Sequence, residues 1–365
     1  MKTKIIIGLS GGVDSAVAAL LLLEQGYQVE ALFMKNWEED DAGEYCAAAV
    51  DLADAQAVAK QLDIPLHTIN FSTEYWDHVF QYFLAEYKAG RTPNPDILCN
   101  TEIKFKAFLD KALSLGADKM ATGHYAEINQ QGKSFQLCQA AEQNKDQTYF
   151  LHQLNQYQLA HSLFPLGKIK NKQEVRDIAL KAGFSNAKKK DSTGICFIGE
   201  RKFKDFLAQY LPANPGKIVT LEGQEIAQHQ GLMYYTIGQR QGLGIGGVAN
   251  ALEEPWFVVK KDLKQNQLIV TQGHHHSALL SDYLTTLKMH WINQVMPDLN
   301  KTYVARCRHR QALQKCQLKQ LENQQWQVIF EQPQRAIAAG QSVVIYDKQV
   351  CLGGGIIDHA FKTTH

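Results

Sequence analysis

The sequence predicts an α/β chain: an open parallel-sheet domain at the N-terminal end, followed by two small, mainly β domains. Three observations carry that expectation. Strand-like and helix-like segments alternate over the first 125 residues, the pattern of βαβ units with helices on both faces of a sheet. A glycine-rich run, Gly8-Leu9-Ser10-Gly11-Gly12-Val13-Asp14-Ser15, falls between the first strand and the first helix. After Leu211-Pro212-Ala213-Asn214-Pro215-Gly216 the pattern changes to short alternating segments separated by glycine-rich turns. The expected divisions are 1–205 for the α/β domain, 206–278 for a central β domain and 279–365 for a C-terminal, barrel-like domain.

Each element follows from its spacing. Lys4–Gly8 is a short apolar run, the signature of a buried parallel strand, and Val17, Leu20, Leu21 and Glu24 then keep helical spacing up to Gly26. Tyr27–Met34 and Pro65–Phe71 read as the second and third strands. Between them Leu52, Ala55, Val58, Ala59 and Leu62 share one helical face. Phe105, Phe108, Leu109 and Leu113 mark a helix ending near Gly116, and Lys119–Thr122 a short strand. Helices are expected over Tyr149–His161, Asn171–Ala182 and Arg201–Tyr210. Strands are expected at Gly216–Leu221, Trp256–Lys260, Leu268–Thr271, Leu284–Trp291, Tyr303–Arg308, Gln325–Phe330, Ser342–Tyr346 and Val350–Ile357.

Composition narrows the class. Thirty-eight basic and thirty-seven acidic residues give a net charge of +1. That balance hides an asymmetry, because residues 1–80 hold four lysines against thirteen acidic residues, a net of −9, and the remainder is basic. A basic remainder permits a polyanionic partner, although solvated lysines give the same count. The apolar run Ala16–Leu23 is far short of the roughly 20 residues a membrane span needs, so a cytoplasmic protein without a membrane association is expected. Seven cysteines with no Cys-x-x-Cys pair argue against a disulfide framework, a zinc ribbon and a thioredoxin-like site, and no metal centre is expected.

The run Gly8–Ser15 has the chemistry of a phosphate cradle. Its glycines allow a tight turn and close backbone approach to an anion, and the unpaired amides at the helix start point at that anion along the helix dipole. Ser10 and Ser15 add hydroxyls, and Asp14 can orient a metal ion or its water. Two other glycine motifs fail. Gly132-Lys133-Ser134 has Glu127 where a Walker loop needs glycine, and Gly242-Leu243-Gly244-Ile245-Gly246-Gly247 sits among β signals too close to Pro255 for a crossover helix, which disfavours a nicotinamide dehydrogenase.

Two cysteines stand in suggestive loops. In Arg91-Thr92-Pro93-Asn94-Pro95-Asp96-Ile97-Leu98-Cys99-Asn100, Cys99 lies just before a helix expected from Glu102, where a thiol gains thiolate character, and Asp96 is placed to act as general acid or base. In Asp191-Ser192-Thr193-Gly194-Ile195-Cys196-Phe197-Ile198-Gly199-Glu200-Arg201, small neighbours leave Cys196 approachable, and Lys188–Lys190 are nearby cations. A packed, inert thiol is the alternative at both positions.

Ser10-Gly11-Gly12-Val13-Asp14-Ser15 resembles the SGGxDS signature of the PP-loop ATP pyrophosphatases, which implies ATP, with Mg²⁺, cleaved between the α and β phosphates. The ordered set SGGVDS, GRTPNPDILCN, ATGHYA, KDQTYFL, DSTGICFIGER, YYTIGQRQGLGIGG and CLGGGII, from residue 8 to about 357, is similar to the tRNA-specific 2-thiouridylase family. The resemblance implies adenylation of the uracil O2 at the wobble position of tRNA. Sulfur then passes from a persulfide on Cys196, supplied by a sulfur-relay protein, with Cys99 as the nucleophile and Asp96 as the proton carrier. It implies a transient Cys99–Cys196 disulfide, which a reducing compartment tolerates where it does not tolerate structural ones. Nucleotide contacts carried over are Gly8, Leu9, Ser10, Gly11, Gly12, Val13, Asp14 and Ser15, with Met34 and Gly123.

The same resemblance implies RNA contacts at Asn94, Pro95 and Asp96 beside the target base, at His124, along Lys145, Asp146 and Gln147, at Arg306, Cys307, Arg308 and His309, and at Gln341. As a strand, Tyr303–Arg308 and its continuation would put Arg306, Arg308 and Arg310 on one face, a cationic row suited to phosphates, or equally a charged edge strand kept soluble. The family usually has an aromatic where Cys307 stands and commonly a proline where Ala338 or Ala339 stands, which puts a stacking role at Cys307 in doubt. His274-His275-His276 is expected to be a polar loop, and a monomer is expected.

Overall fold

The computed structural model describes residues 2–38, 47–190, 203–246 and 253–363. Its first layer is built by β1 (Lys4–Gly8), β2 (Gln28–Lys35), β3 (Leu66–Asn70) and β4 (Lys119–Ala121). The chain then makes a hairpin, β5 (Ala126–Gln131) and β6 (Ser134–Gln139), before a two-residue strand β7 (Ser162–Leu163) completes the first sheet. The sheet is parallel in the order β3-β2-β1-β4-β7. Period-two alternation splits its isoleucines between two cores. Ile6 joins Leu32 and Met120 against the helices of 72–114, while Ile5 and Ile7 face Val13–Glu24, Ala47–Gln61 and Lys172–Lys181. Each fully buried isoleucine contributes about 1.5–3 kcal/mol, so Ile5, Ile6 and Ile7 anchor both layers at once.

The central unit is a four-stranded sheet of β8 (Gly216–Thr220), β9 (Glu225–His229), β10 (Trp256–Asp262) and β11 (Gln267–Gln272), in the order β10-β11-β8-β9. The last unit contains β12 (Leu280–Trp291), β13 (Tyr303–Arg306), β14 (Gln314–Gln320), β15 (Trp326–Arg335), β16 (Ser342–Asp347) and β17 (Val350–Phe361). These six strands close into a barrel, because β12 pairs with both β15 and β17. Closure explains the three glycines of Gly353–Gly355: a Cβ there would stand 2.0 Å from the His290 carbonyl, 2.4 Å from that of Val343 and 2.3 Å from that of Lys288. The α/β class with two mainly β units is therefore what the chain adopts.

Two local expectations change, and one hairpin is added. The segment 149–161 is two short helices, Thr148–Leu151 and Gln156–Ala160, because Asn155 starts the second with a capping box to Gln158. The β5–β6 hairpin, which has no clear alternation, leaves the α/β sheet and pairs with the first residues of β17, Val350 opposite Cys138 and Cys351 opposite Leu137. The barrel thereby carries a piece of the N-terminal domain. The strand expected to run on through Arg308 stops at Arg306. Gly132-Lys133 forms the turn of the β5–β6 hairpin. Among the described residues, no helix is long and apolar enough to cross a membrane.

Candidate active site

The strand order reverses between β1 and β4, so a crevice opens beyond their carboxyl ends, where ligands of such sheets sit. Gly8 ends β1 on one side of it, and Gly123 follows β4 on the other. The cradle is tightly constrained. Gly11 takes φ +75°, and a Cβ there would stand 2.3 Å from the Asp51 carbonyl, so only glycine fits. Leu9 and Val13 are buried beneath the loop. The Ser10 amide donates to Ser15 Oγ at 3.1 Å, and Ser15 Oγ donates to the Gly12 carbonyl at 3.0 Å, which shapes the first turn of Val13–Glu24. Gly123 closes the far wall, since a Cβ there would meet the Ser15 amide nitrogen at 2.9 Å. Gly12 is open: its missing Cβ would meet only Ser10 Oγ, at 3.4 Å. A side-chain-free mouth lined by amides and hydroxyls fits a polyphosphate. Met34, near the end of β2, packs partly buried against the core under the 72–114 helices.

Residues absent from the sequence-based set complete the cradle. Asp14 Oδ1 accepts from the Tyr125 hydroxyl at 2.8 Å and from Lys172 Nζ at 2.5 Å. Asn186 Nδ2 donates to the Gly11 carbonyl at 3.0 Å. Lys189, one of the cations assigned to Cys196, instead has its ammonium on Asp51 at 2.7 Å and Asp54 at 2.5 Å, which hold it at the back of the loop. Tyr125 belongs to the quoted ATGHYA run, but the partners from 172 to 189 have no local pattern that would announce them.

Asp96 and Cys99 share a helical rod with the cradle. Asn94 caps it by accepting from the Asp96 amide at 3.2 Å, and Pro95 takes the first helical position, where its missing N–H is no loss. Helix therefore begins at Pro95, not at Glu102, and Cys99 lies one turn inside it, beyond the strongest reach of the dipole. From Cys99 to Phe108 the rod is π-helical, a winding frequent at functional sites. Further along, the Phe108 ring lies 3.5 Å from where a Cβ on Gly8 would be. Cys99 thus stands nine residues along the rod from Phe108, at most about 13 Å of helix axis. Cys99 is 1% exposed. Burial raises the Asp96 carboxyl above the usual carboxylate range, with Lys104 opposing. Cys196 lies outside the described residues, and among those described no disulfide is formed.

The loop before the rod is pinned by all three units. Arg91 is ion-paired with Glu86, Thr92 Oγ1 meets Thr236 Oγ1 at 3.3 Å, and the Thr92 amide donates to the Ala339 carbonyl at 2.9 Å. Gln341 Nε2 donates to the Thr92 carbonyl at 2.8 Å.

The other RNA candidates form a seam between the α/β unit and the barrel. Asp146 accepts from Thr148 Oγ1 at 2.8 Å and from the Ala140 amide at 3.2 Å, and pairs with Arg306 Nη1 at 3.6 Å, both side chains being buried. Arg306 also lies 5.2 Å over the Tyr346 ring. Gln147 exchanges backbone and side-chain bonds with Tyr125, at 2.9 Å each, and the Lys145 amide donates to the Glu142 carbonyl at 3.0 Å. His309 Nε2 meets the Asp146 carbonyl at 3.1 Å and packs 4.4 Å from the Phe150 ring; burial lowers its pKa. His124 is buried between Phe105 and Phe164, 2.7 Å from Thr122 Oγ1, and burial, then Lys104, lower its pKa well below the usual value. Burial pushes the Cys307 thiol up, and its amide donates to Gln311 at 2.7 Å.

The cationic row does not form. The chain turns after Arg306, with Arg310 at φ +64°, so the three guanidiniums diverge. Arg306 goes inward to Asp146, Arg308 donates to the carbonyls of Ile237 and Ala336, and Arg310 is exposed. Arg308 instead borders an open cleft of about 410 Å³ with Gln311, Gln314, Gln334 and Arg335. In the histidine run, His276 Nδ1 accepts from the Ala278 amide at 3.2 Å and caps a turn. Among the described residues no three His, Cys, Asp or Glu side chains gather as a metal site.

Three family models match successive parts of the chain: a "tRNA methyl transferase HUP domain" over residues 3–200, a "tRNA methyl transferase PRC-barrel domain" over 204–272 and an "Aminomethyltransferase beta-barrel domain" over 281–357. The tRNA-specific 2-thiouridylase MnmA of Pseudomonas entomophila (strain L48) is 59% identical over 359 residues, 98% of this chain and 96% of that one. The protein of the same description from Vesicomyosocius okutanii subsp. Calyptogena okutanii (strain HA) is 60% identical over 358 residues, 98% of each chain. The chain belongs to the tRNA-specific 2-thiouridylase family. Lys172, Tyr125 and Asn186 are the cradle partners that the motif comparison alone passed over.

Proposed function

We propose that this chain is an ATP-dependent sulfurtransferase that converts the wobble uridine of tRNA into 2-thiouridine. The observation that carries the reading is the shared rod: one end holds Cys99 with Asp96, and the other packs Phe108 on Gly8 of a cradle fit for polyphosphate. Uracil O2 attacks the α-phosphorus of ATP, the bond to the β-phosphate oxygen breaks, and pyrophosphate leaves. The O2-adenylylated C2 now bears a good leaving group. Cys196, loaded as a persulfide by a sulfur-relay protein, adds its terminal sulfur to C2, and AMP departs with the former O2. The Cys99 thiolate then attacks Cys196 Sγ, which breaks the S–S bond, frees 2-thiouridine and leaves a Cys99–Cys196 disulfide that a thiol reductant resets. Asp96, its carboxyl raised by burial, accepts the Cys99 proton more readily than an ordinary carboxylate.

The buried position of Cys99 demands that the base be turned out of the anticodon loop. Asn94, pinned through Thr92 to Ala339 and Gln341, offers a polar side chain at that entrance, and the seam with Lys145, Asp146 and Gln147 fixes the barrel relative to it. Arg308 borders the open cleft of the barrel, with Arg310 exposed two residues on, where tRNA phosphates would lie. Mg²⁺ would accompany the triphosphate, next to Asp14.

The test uses the full chain with unmodified tRNA, ATP and a persulfide-loaded donor. The expected result is 2-thiouridine, AMP and pyrophosphate in equal amounts, with Cys99→Ser and Cys196→Ser each still releasing AMP but making no thionucleoside. Normal thiolation by either variant would refute the assigned roles.

A further inference from the structure

The cleft beside Arg308 carries positive charge with nothing to balance it. Arg308 and Arg335 both line it, and none of its lining residues is Asp or Glu. Its glutamines are fixed in a chain. The Cys307 amide donates to Gln311 Oε1 at 2.7 Å, Gln311 Nε2 to Gln334 Oε1 at 3.0 Å, and Gln334 Nε2 to Gln314 Oε1 at 3.3 Å. The two guanidiniums converge, with Arg335 Nη1 3.6 Å and Arg308 Nη2 3.7 Å from the point that a Cβ on Gly238 would occupy. Like charges so placed repel, yet the fold holds both. Arg308 Nη2 donates to the Ile237 carbonyl at 2.9 Å and to that of Ala336. Arg335 Nε donates to the His274 carbonyl at 2.9 Å, and the guanidinium lies 4.7 Å over the Phe257 ring. Arg335 Nη2 is buried with no hydrogen-bond partner. Burial, then the Arg308 charge, lowers the Arg335 pKa, and no carboxylate opposes them. A brace between units needs no second unpaired charge; an anion site does.

The cleft also borders the entrance to Cys99. Gly238 is two residues from Thr236, whose hydroxyl meets that of Thr92, and Ala336 is three residues from Ala339, whose carbonyl accepts from the Thr92 amide. Such short segments span at most about 7–11 Å. We propose that Arg308 and Arg335 together bind one backbone phosphate of the tRNA strand beside the turned-out wobble nucleotide. Two forked donors on one phosphate relieve the repulsion between the guanidiniums, and a strand gripped there keeps its neighbouring base out of the stack. The assignment rests on the tRNA-thiolating reading above, but its test needs binding alone.

The experiment measures binding of a tRNA anticodon hairpin to the full chain, without ATP, over a range of salt concentrations, for wild type, Arg335→Gln and Gln314→Glu. Arg335→Gln is expected to weaken binding on the order of tenfold and to flatten the slope of log affinity against log salt by about 0.7, one phosphate contact on a single strand. Gln314→Glu, which puts a carboxylate in the cleft and leaves both arginines their hydrogen bonds, is expected to weaken binding as well. Hairpins with a neutral methylphosphonate at each linkage flanking the wobble nucleotide locate the contact. One of them should bind wild type on the order of tenfold more weakly and cost Arg335→Gln nothing further. An unchanged salt slope in Arg335→Gln, or equal methylphosphonate losses in wild type and variant, would overturn the proposal and leave the arginines as a brace. Should Arg335→Gln fail to fold, wild-type affinity in Gln314→Glu would overturn it instead. Arginine-dependent binding without 2-thiouridine formation would sink the thiolating reading and leave the site standing; full thiolation with unchanged binding in both variants would do the reverse.

Discussion

At the phosphate cradle, Asp14 takes hydrogen bonds from Tyr125 and Lys172 on one oxygen, and its side chain stays 31% exposed. At the seam, Asp146 is fully buried, and both its oxygens are taken by Thr148, with Ala140, Gln139 and Arg306 around them. The first arrangement leaves charge at an open mouth, where a ligand can replace a protein partner. The second consumes its charge internally, where no ligand can compete without undoing the junction. Polar residues of the same types thus make a site in one place and a brace in the other, and exposure separates them. Asp146 and Arg306 are therefore spent on holding the barrel against the α/β unit.

The largest expected effect is at the brace. Asp146→Ala leaves Arg306 buried without its carboxylate, which costs about 3–5 kcal/mol. Urea unfolding should show that loss, and a change below 1 kcal/mol would mean the seam is not a brace. Next comes acid. His152, at the end of the short helix Thr148–Leu151, is wholly buried, donates from Nδ1 to the Tyr149 carbonyl at 2.8 Å, and has its pKa lowered by burial to about 4. Its folded pKa is below the unfolded value near 6.5, so its contribution is complete above that value and is lost as pH falls towards 4. The difference is worth roughly 3 kcal/mol. Stability measured from pH 7 to 4 should fall, and His152→Gln should flatten that slope; an unchanged slope would contradict the assignment.

The smallest effect on stability, and the sharpest for the cradle, is Gly12→Ala. With φ −86° and only Ser10 Oγ at 3.4 Å, a methyl group fits the fold. Stability should shift by no more than about 0.5 kcal/mol, while ATP affinity falls on the order of tenfold because the methyl occupies the anion's approach. Equal ATP affinity in calorimetry would place the phosphates elsewhere. Gly11→Ala, by contrast, should destabilise the fold, since its Cβ would collide with the Asp51 carbonyl.

The contrast also explains what could be read in advance. The cradle is written in eight consecutive residues between a strand and a helix, so local spacing was enough to find Gly8–Ser15 and to place it. Asp96 and Cys99 stand in one short motif, but the helix that carries them starts at Pro95 and not at Glu102, because Asn94-Pro95 is a cap followed by a first-turn proline, which reads equally as a stiff loop. The seam is assembled from residues 139–152, 306–309 and 341–346, and nothing in any one of them shows that a carboxylate on one will face a guanidinium on another. Period two suggested a row of arginines only while the strand was assumed to continue past Arg306. Lys172 was invisible for the same reason: its partner is 158 positions away, and helix packing alone brings them together.

In the proposed reaction, ATP energy is spent on the uracil oxygen. It is tested most directly with tRNA carrying ¹⁸O at O2 of the wobble uridine, incubated with ATP and persulfide donor and the full chain. The account predicts that each 2-thiouridine formed is matched by one AMP whose phosphate has gained that ¹⁸O. Label released into water or sulfur-containing product, with AMP unlabelled, would contradict it.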